Sequence, residues 1–257
     1  MPFSWLTLAI VCPLVFLAGF IDSIAGGGGL ISLPAYLAAG LPAQMAAGTN
    51  KFSAFSGTLL STIRFLKSGK VALAAAVCSV AAALVGSALG ARLALLVHAE
   101  VLRWVLVGAL PVIAVLVLTR KTGEKVDPEV MGIHKTRTLV LSTLFGLLIG
   151  AYDGFFGPGT GTFLILVYTA VCGFDLITAS GNAKCVNLAS NLAALVVYLL
   201  GGKVIFWLAV PAAACGILGN WLGSGLAIKG GARVIRPVLL VALALLFGKV
   251  LWDLIFA

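Results

Sequence analysis

Gly19-Phe20-Ile21-Asp22-Ser23-Ile24-Ala25-Gly26-Gly27-Gly28-Gly29 returns later in the chain as Gly150-Ala151-Tyr152-Asp153-Gly154-Phe155-Phe156-Gly157-Pro158-Gly159-Thr160-Gly161. Each copy closes an apolar segment with one aspartate and then runs into glycines. Working outward, Thr49-Asn50-Lys51 answers Gly181-Asn182-Ala183-Lys184, and Gly69-Lys70-Val71 answers Gly202-Lys203-Val204. Gly86 and Gly90 match Gly219 and Gly223, and Val101-Leu102-Arg103 matches Val234-Ile235-Arg236. The offset is 131 through the glycine runs and 133 from Lys51 onward. Matches in one order at one spacing mark an internal duplication.

The duplicated unit is built for lipid. Of 257 residues, 61% are hydrophobic and 10% charged, with a mean hydropathy of +1.17. Soluble domains carry about 25% charged residues. Apolar segments at 5–21, 43–63, 71–97, 101–119, 138–156, 175–200, 204–228 and 233–252 have the length a bilayer crossing needs, or nearly so. Two pieces, 30–41 and 161–172, fall short of the roughly 20 residues of a full span. The expected fold is an all-α integral membrane protein of 8–10 transmembrane segments, with broken or half-length helices at the glycine motifs. No room remains for a soluble catalytic domain.

Each unit has five pieces: a long segment ending in Asp, a short one, and three long ones. If all five cross, the odd number inverts the second unit relative to the first. Inversion gathers 11 basic residues on one side against Arg92, Arg103 and Lys203 on the other, whereas a parallel arrangement gives 9 against 5. The positive-inside rule favours the first. Residues 1–119 then form the first repeat, 120–137 a cytoplasmic linker and 138–257 the second repeat. Re-entrant hairpins at the short pieces would fit the hydropathy equally well.

The net charge of +9 does not imply nucleic-acid binding, because the basic residues sit at segment ends. Cys12, Cys78, Cys172, Cys185 and Cys215 are scattered without a CxxC pair and read as packing residues, not as a metal site. Residues 1–4 hold no Lys or Arg, so a signal peptide is not expected. His98 and His134 fall in loops, which leaves an intramembrane protease without a base. The chain reads as a non-enzyme.

Four ionisable residues lie within apolar surroundings: Asp22, Lys51, Asp153 and Lys184. Lys51 comes nine residues after Pro42, about 13 Å deep on a helix. A charge at such depth costs about 2.5–3.5 kcal/mol on insertion scales. It is kept either for function or because Asp and Lys neutralise each other and pin the repeats. Gly26, Gly27, Gly28 and Gly29, and Gly157, Gly159 and Gly161, are the expected sites of unwound backbone, tolerated only beside protein or a cavity. Helix N-termini at such breaks favour anions. No GxxxxGK[ST] motif accompanies them, so a nucleotide site is not expected. Gly86/Gly90 and Gly219/Gly223 read as close-packing positions. Asn50 and Asn182 accompany the lysines. Asn187 and Asn191 stand four apart on the helix of Lys184 and could line an oxyanion's path or bond neighbouring helices. Arg103 and Arg236 read as interface anchors.

GFIDSIAGGGGLISLP, AAGTNKFSAFSGT, GAYDGFFGPGTGTF and ASGNAKCVNLASNLAAL together resemble the sulfite exporter TauE/SafE family over nearly the whole chain. The resemblance implies a multi-pass permease of the bacterial inner membrane for small sulfur-containing anions such as sulfite and organosulfonates. The motif residues it carries over are Asp22, Gly26 to Gly29, Asn50, Lys51, Asp153, Gly157, Gly159, Gly161, Asn182 and Lys184. The expected function is secondary transport by alternating access at a midplane anion site, with a passive anion channel as the alternative. No cofactor is expected; Asp22 and Asp153 are candidates for coupling to a proton or Na⁺. The expected partners are the anion and the bilayer, with room for a homo-oligomer.

Overall fold

The computed structural model describes residues 5–97 and 135–256. Nine helices follow one another among these: α1 (Trp5–Ala25), α2 (Gly29–Ala38), α3 (Ala43–Lys67), α4 (Leu73–Leu96), α5 (Lys135–Phe155), α6 (Thr160–Ala170), α7 (Leu176–Leu200), α8 (Phe206–Gly230) and α9 (Ala232–Phe256). No strand occurs among the described residues. The expected segment 101–119, most of the linker 120–137, and Arg103, His98 and His134 lie outside them. α5 begins at Lys135, inside the stretch read as linker.

Five helices, α1, α4, α5, α7 and α8, are long and apolar enough to cross a bilayer. α3 has the length of a span, but Thr49, Asn50, Lys51, Ser53, Thr58, Ser61 and Thr62 make it far more polar. Those side chains are buried, as are Ser180, Asn182 and Lys184 of α7. Trp5, Leu73, Val77, Leu200 and Val210 face outward instead. A polar interior under an apolar exterior suits a protein whose solvent is lipid, where burial of Leu gains nothing.

Association must then come from close backbone packing, and the matched glycines supply it. A Cβ on Gly86 or Gly90 of α4 would strike the carbonyls of Leu147 or Ala151 on α5. One on Gly219 or Gly223 of α8 would strike Phe16 or Phe20 on α1. The first helix of each half thus packs on the fourth helix of the other. Gly90→Val is expected to destabilise the fold by about 1–3 kcal/mol through overpacking. Thermal unfolding in detergent should show the lower midpoint.

The turns recur as well. Left-handed glycines stand at Gly26, Gly40 and Gly69, and again at Gly157, Gly173 and Gly202. α7 is additionally capped by Asp175, whose Oδ1 accepts from the N–H groups of Ile177 and Thr178 at 3.0 and 3.1 Å.

α3 and α7 cross at the centre in opposed directions. Gly48 lies against Tyr198, Lys51 reaches Asn191, and the Thr62 hydroxyl donates to the Lys184 carbonyl at 3.0 Å. α2 turns back along α1: a Cβ on Gly28 would meet Asp22 and Ala18, while Leu33 and Tyr36 cluster with Val11 and Val15. Each half therefore sends one broken element into the interior, and the two breaks meet. Gly26 abuts Gly161 so closely that a side chain on either would overlap the other's backbone.

Candidate functional site

The embedded charges pair between the halves. Lys51 of α3 reaches Asp153 of α5 at 2.8 Å, and Lys184 of α7 reaches Asp22 of α1 at 2.7 Å. The exchange follows from the packing, since α1 and α5 have each left their own half to lie on the other. Asp153 is saturated: its Oδ2 also accepts from Ser190, and its Oδ1 accepts from the Thr160 hydroxyl at 2.9 Å. Asp22 is less enclosed, with 18% side-chain exposure against 6% for Asp153. Beyond Lys184 its carboxylate accepts, among the described residues, only the Gly28 N–H, at 3.3 Å. Lys184 also donates to the Asp22 carbonyl.

Both lysines come eight residues after the start of a 25-residue helix, about 12 Å along a rod of about 37 Å. Because α3 and α7 run in opposed directions, the two pairs fall on either side of the middle, about 13 Å apart along the axis.

Between them lies a cavity of about 50 Å³, space for about four water molecules. The breaks contribute Gly26, Gly28, Gly29, Gly157 and Gly161; α3 contributes Asn50 and Lys51; α7 contributes Asn187 and Asn191; Asp22 and Asp153 complete the expected set. Four expected residues stay outside the lining. Gly27 backs onto Ala242. Gly159 is the left-handed residue before α6. Asn182 donates to the Thr178 carbonyl at 2.9 Å. Lys184 stands behind Asp22 with no exposed surface.

The amides are the unusual part. Asn50 and Asn187 are 8% and 4% exposed. Their Oδ1 atoms are buried without a partner, and neither side chain makes a hydrogen bond among the described residues. Asn191 is oriented, because its Oδ1 accepts from Lys51 at 3.0 Å, leaving its Nδ2 without a partner among the described residues. Buried acceptor oxygens left empty call for an unseen donor, a water or a protonated group of a guest. The breaks add donors: the N–H groups of Gly29 at the start of α2, and of Gly159 and Gly161 at the start of α6, have no acceptor among the described residues. Helix starts carry partial positive charge and suit an anion.

The sequence reading did not single out Asn220 of α8, which also lines the cavity. It donates to the Gly216 carbonyl at 3.0 Å, and its Oδ1 is buried without a partner. Gly19 and Gly57 leave the space it fills. Its signal was a carboxamide on an apolar helix, in one stripe with Gly216 and Ser224. Ser53, also in the lining, is tied to the Tyr36 hydroxyl at 2.9 Å. Counted from the helix starts at Ala43 and Leu176, Asn50 and Ser53 fall opposite Ala183 and Val186, with Asn182, the sequence match of Asn50, one residue earlier; Asn220 falls opposite Ser87. These three polar groups are therefore not repeated in the opposite half.

The profile of the family described as sulfite exporter TauE/SafE matches residues 11–250. The "Probable membrane transporter protein YfcA" of Escherichia coli (strain K12) is 37% identical over 255 residues, 97% of this chain and 91% of the relative. A "Probable membrane transporter protein" of Haemophilus influenzae is 37% identical over 251 residues, covering 96% of this chain and 95% of its own. The "Probable membrane transporter protein ORF9" of Sinorhizobium sp is 35% identical over 246 residues, 96% of this chain and 93% of that protein. No solved structure matches.

Proposed function

The chain belongs to the sulfite exporter TauE/SafE family, a family of membrane transporters rather than enzymes, and from that premise we propose that it carries sulfite or small organosulfonates by alternating access. It is a multi-pass protein of the bacterial inner membrane, and the finer assignment rests on the site. The observation that carries it is the pair of empty amides, Asn50 and Asn187, buried beside Lys51 in the mid-protein cavity. The Nδ2 groups of these amides, two half-helix starts and a lysine form a place where three oxyanion oxygens can be met at once, and the empty Oδ1 acceptors leave room for a proton the guest carries.

The opposed course of α3 and α7 supports an inverted repeat of residues 1–119 and 138–257. Because the first helices are exchanged, the rocking bodies are α1, α3 and α8 against α4, α5 and α7. The two ion pairs support alternating access: each joins one half to the other, and they lie on opposite sides of the cavity. Opening one while the other holds would expose the site to one side at a time. A passive channel would need both open together.

Asp22, less enclosed than Asp153, is the better candidate for proton coupling. Asp22→Asn is expected to leave counterflow of labelled sulfite intact while net uptake stops responding to an imposed pH gradient. Uptake by Asp22→Asn that still follows the gradient would move coupling elsewhere. The test of the function is uptake of radiolabelled sulfite into proteoliposomes, with sulfonates as competitors. Saturable, gradient-responsive flux with counterflow is expected of the carrier. Flux that never exceeds the electrochemical gradient and shows no counterflow would replace the carrier with a channel.

A further inference from the structure

We propose that the occupant of this cavity is a singly charged oxyanion of about the size of hydrogen sulfite, and that the dianions of sulfite and sulfate are rejected. The inference rests on the anion-transport reading and adds the charge state it leaves open. Among the described residues, the charged side chains in the lining are Asp22, Lys51 and Asp153. Lys184 stands directly behind Asp22, bonded to it at 2.7 Å. These four sum to zero, and each cation already has its carboxylate.

A guest therefore meets no spare positive charge. What remains for it is neutral: the Nδ2 groups of Asn50, Asn187 and Asn191, which make no hydrogen bond among the described residues, the N–H groups at the starts of α2 and α6, and the empty Oδ1 acceptors of Asn50, Asn187 and Asn220, which favour a guest that still carries a proton. Such donors can balance one charge spread over three oxygens. A second charge would enter a narrow space beside two carboxylates with no cation left to pair it, where unpaired charge is costly. Size does not separate these ions, since sulfite matches hydrogen sulfite and sulfate matches methanesulfonate, so charge must do so. Asymmetry strengthens the case. The Asn50 and Asn220 positions are Ala183 and Ser87 in the other half, so no second set of donors is present to share a dianion.

The titratable groups around the cavity are few. α1 presents Asp22, α2 presents Tyr36 through its bond to Ser53, α3 presents Lys51, α5 presents Asp153 and α7 presents Lys184. α6, α8 and α9 add no charged group to the lining among the described residues. Any of these could alter affinity with pH, so the test needs a ligand whose own charge is constant.

Equilibrium binding of sulfite, methanesulfonate and sulfate to the purified full chain should be compared from about pH 6 to about pH 9. Sulfite loses its last proton near neutrality, methanesulfonate stays a monoanion and sulfate stays a dianion throughout. The dissociation constant for total sulfite, divided by that for methanesulfonate, is expected to rise about 10-fold per pH unit on the alkaline side of that ionisation. Sulfate should fail to compete at any pH. Asp22→Asn removes one negative charge from the lining and is expected to admit sulfate as a competitor. A sulfite-to-methanesulfonate ratio that stays flat, or sulfate competing as well as methanesulfonate with the wild type, would overturn the monoanion assignment and leave anion transport standing. Folded Asp22→Asn that still excludes sulfate would overturn charge balance as the cause of selectivity. No binding of any of the three to folded wild type would overturn the anion site itself, and this inference with it.

Discussion

Lys184→Met is expected to destabilise the folded protein by about 3–5 kcal/mol, the usual cost of removing one partner from a buried ion pair. Lys184 has no exposed surface, and among the described residues the Asp22 carboxylate it leaves behind keeps one weak N–H donor. Adding Asp22→Asn should recover most of that stability, because a neutral amide no longer needs a counter-charge. Uptake driven by a pH gradient should not return with it, since the coupling carboxylate is gone. Thermal unfolding of wild type, Lys184→Met and the double variant in one detergent measures the first part, and gradient-driven sulfite uptake the second. A double variant no more stable than the single one would show that Asp22 is not the group left stranded. The same logic applies to Lys51 and Asp153, with one difference. Asp153 also accepts from Thr160 and Ser190, so loss of Lys51 strands a carboxylate that still has two hydroxyl donors.

Asn187→Leu is expected to weaken anion binding by about 10- to 100-fold, the equivalent of one hydrogen bond to a charged group. Stability should hold or rise. The wild-type amide is 4% exposed with an orphaned Oδ1, and leucine of similar size removes that penalty. This opposition of effects separates a binding residue from a structural one. An Asn187→Leu protein that binds sulfite as the wild type does, or one that unfolds, would place the amide in the scaffold instead.

Much of this architecture was readable from residues alone, for a physical reason. Charges and unwound glycines are so costly in lipid that Asp22, Lys51, Asp153, Lys184 and the two glycine runs stand out against an apolar background. The glycine pairs at 86/90 and 219/223 were equally plain, because close packing needs a missing Cβ at helical spacing. What linear sequence hides is which partner each group finds. Asp22 and Lys51 belong to one half, yet each pairs with the other half, because α1 lies on α8 and α5 on α4. That exchange is tertiary and leaves no local trace.

Asn220 escaped notice for a related reason. Comparison of the halves highlights residues that recur, and its counterpart is Ser87, which is occupied in donating to the Ser190 carbonyl at 2.6 Å. Departures from the repeat mark this site better than its echoes do. Asn50 against Ala183 and Ser53 against Val186 are visible in the aligned halves, but their meaning depends on knowing which face of α3 meets the cavity. Lys184 illustrates the converse: its match to Lys51 is complete in sequence, yet only Lys51 reaches the lining.

Counterflow of radiolabelled sulfite in proteoliposomes, wild type beside folded Asn187→Leu, tests the central claim most directly. Saturable exchange in the wild type that is largely lost in the variant is the predicted result, and it would tie transport to the mid-protein cavity. Exchange no greater than in empty liposomes, or equal exchange by both proteins, would contradict it.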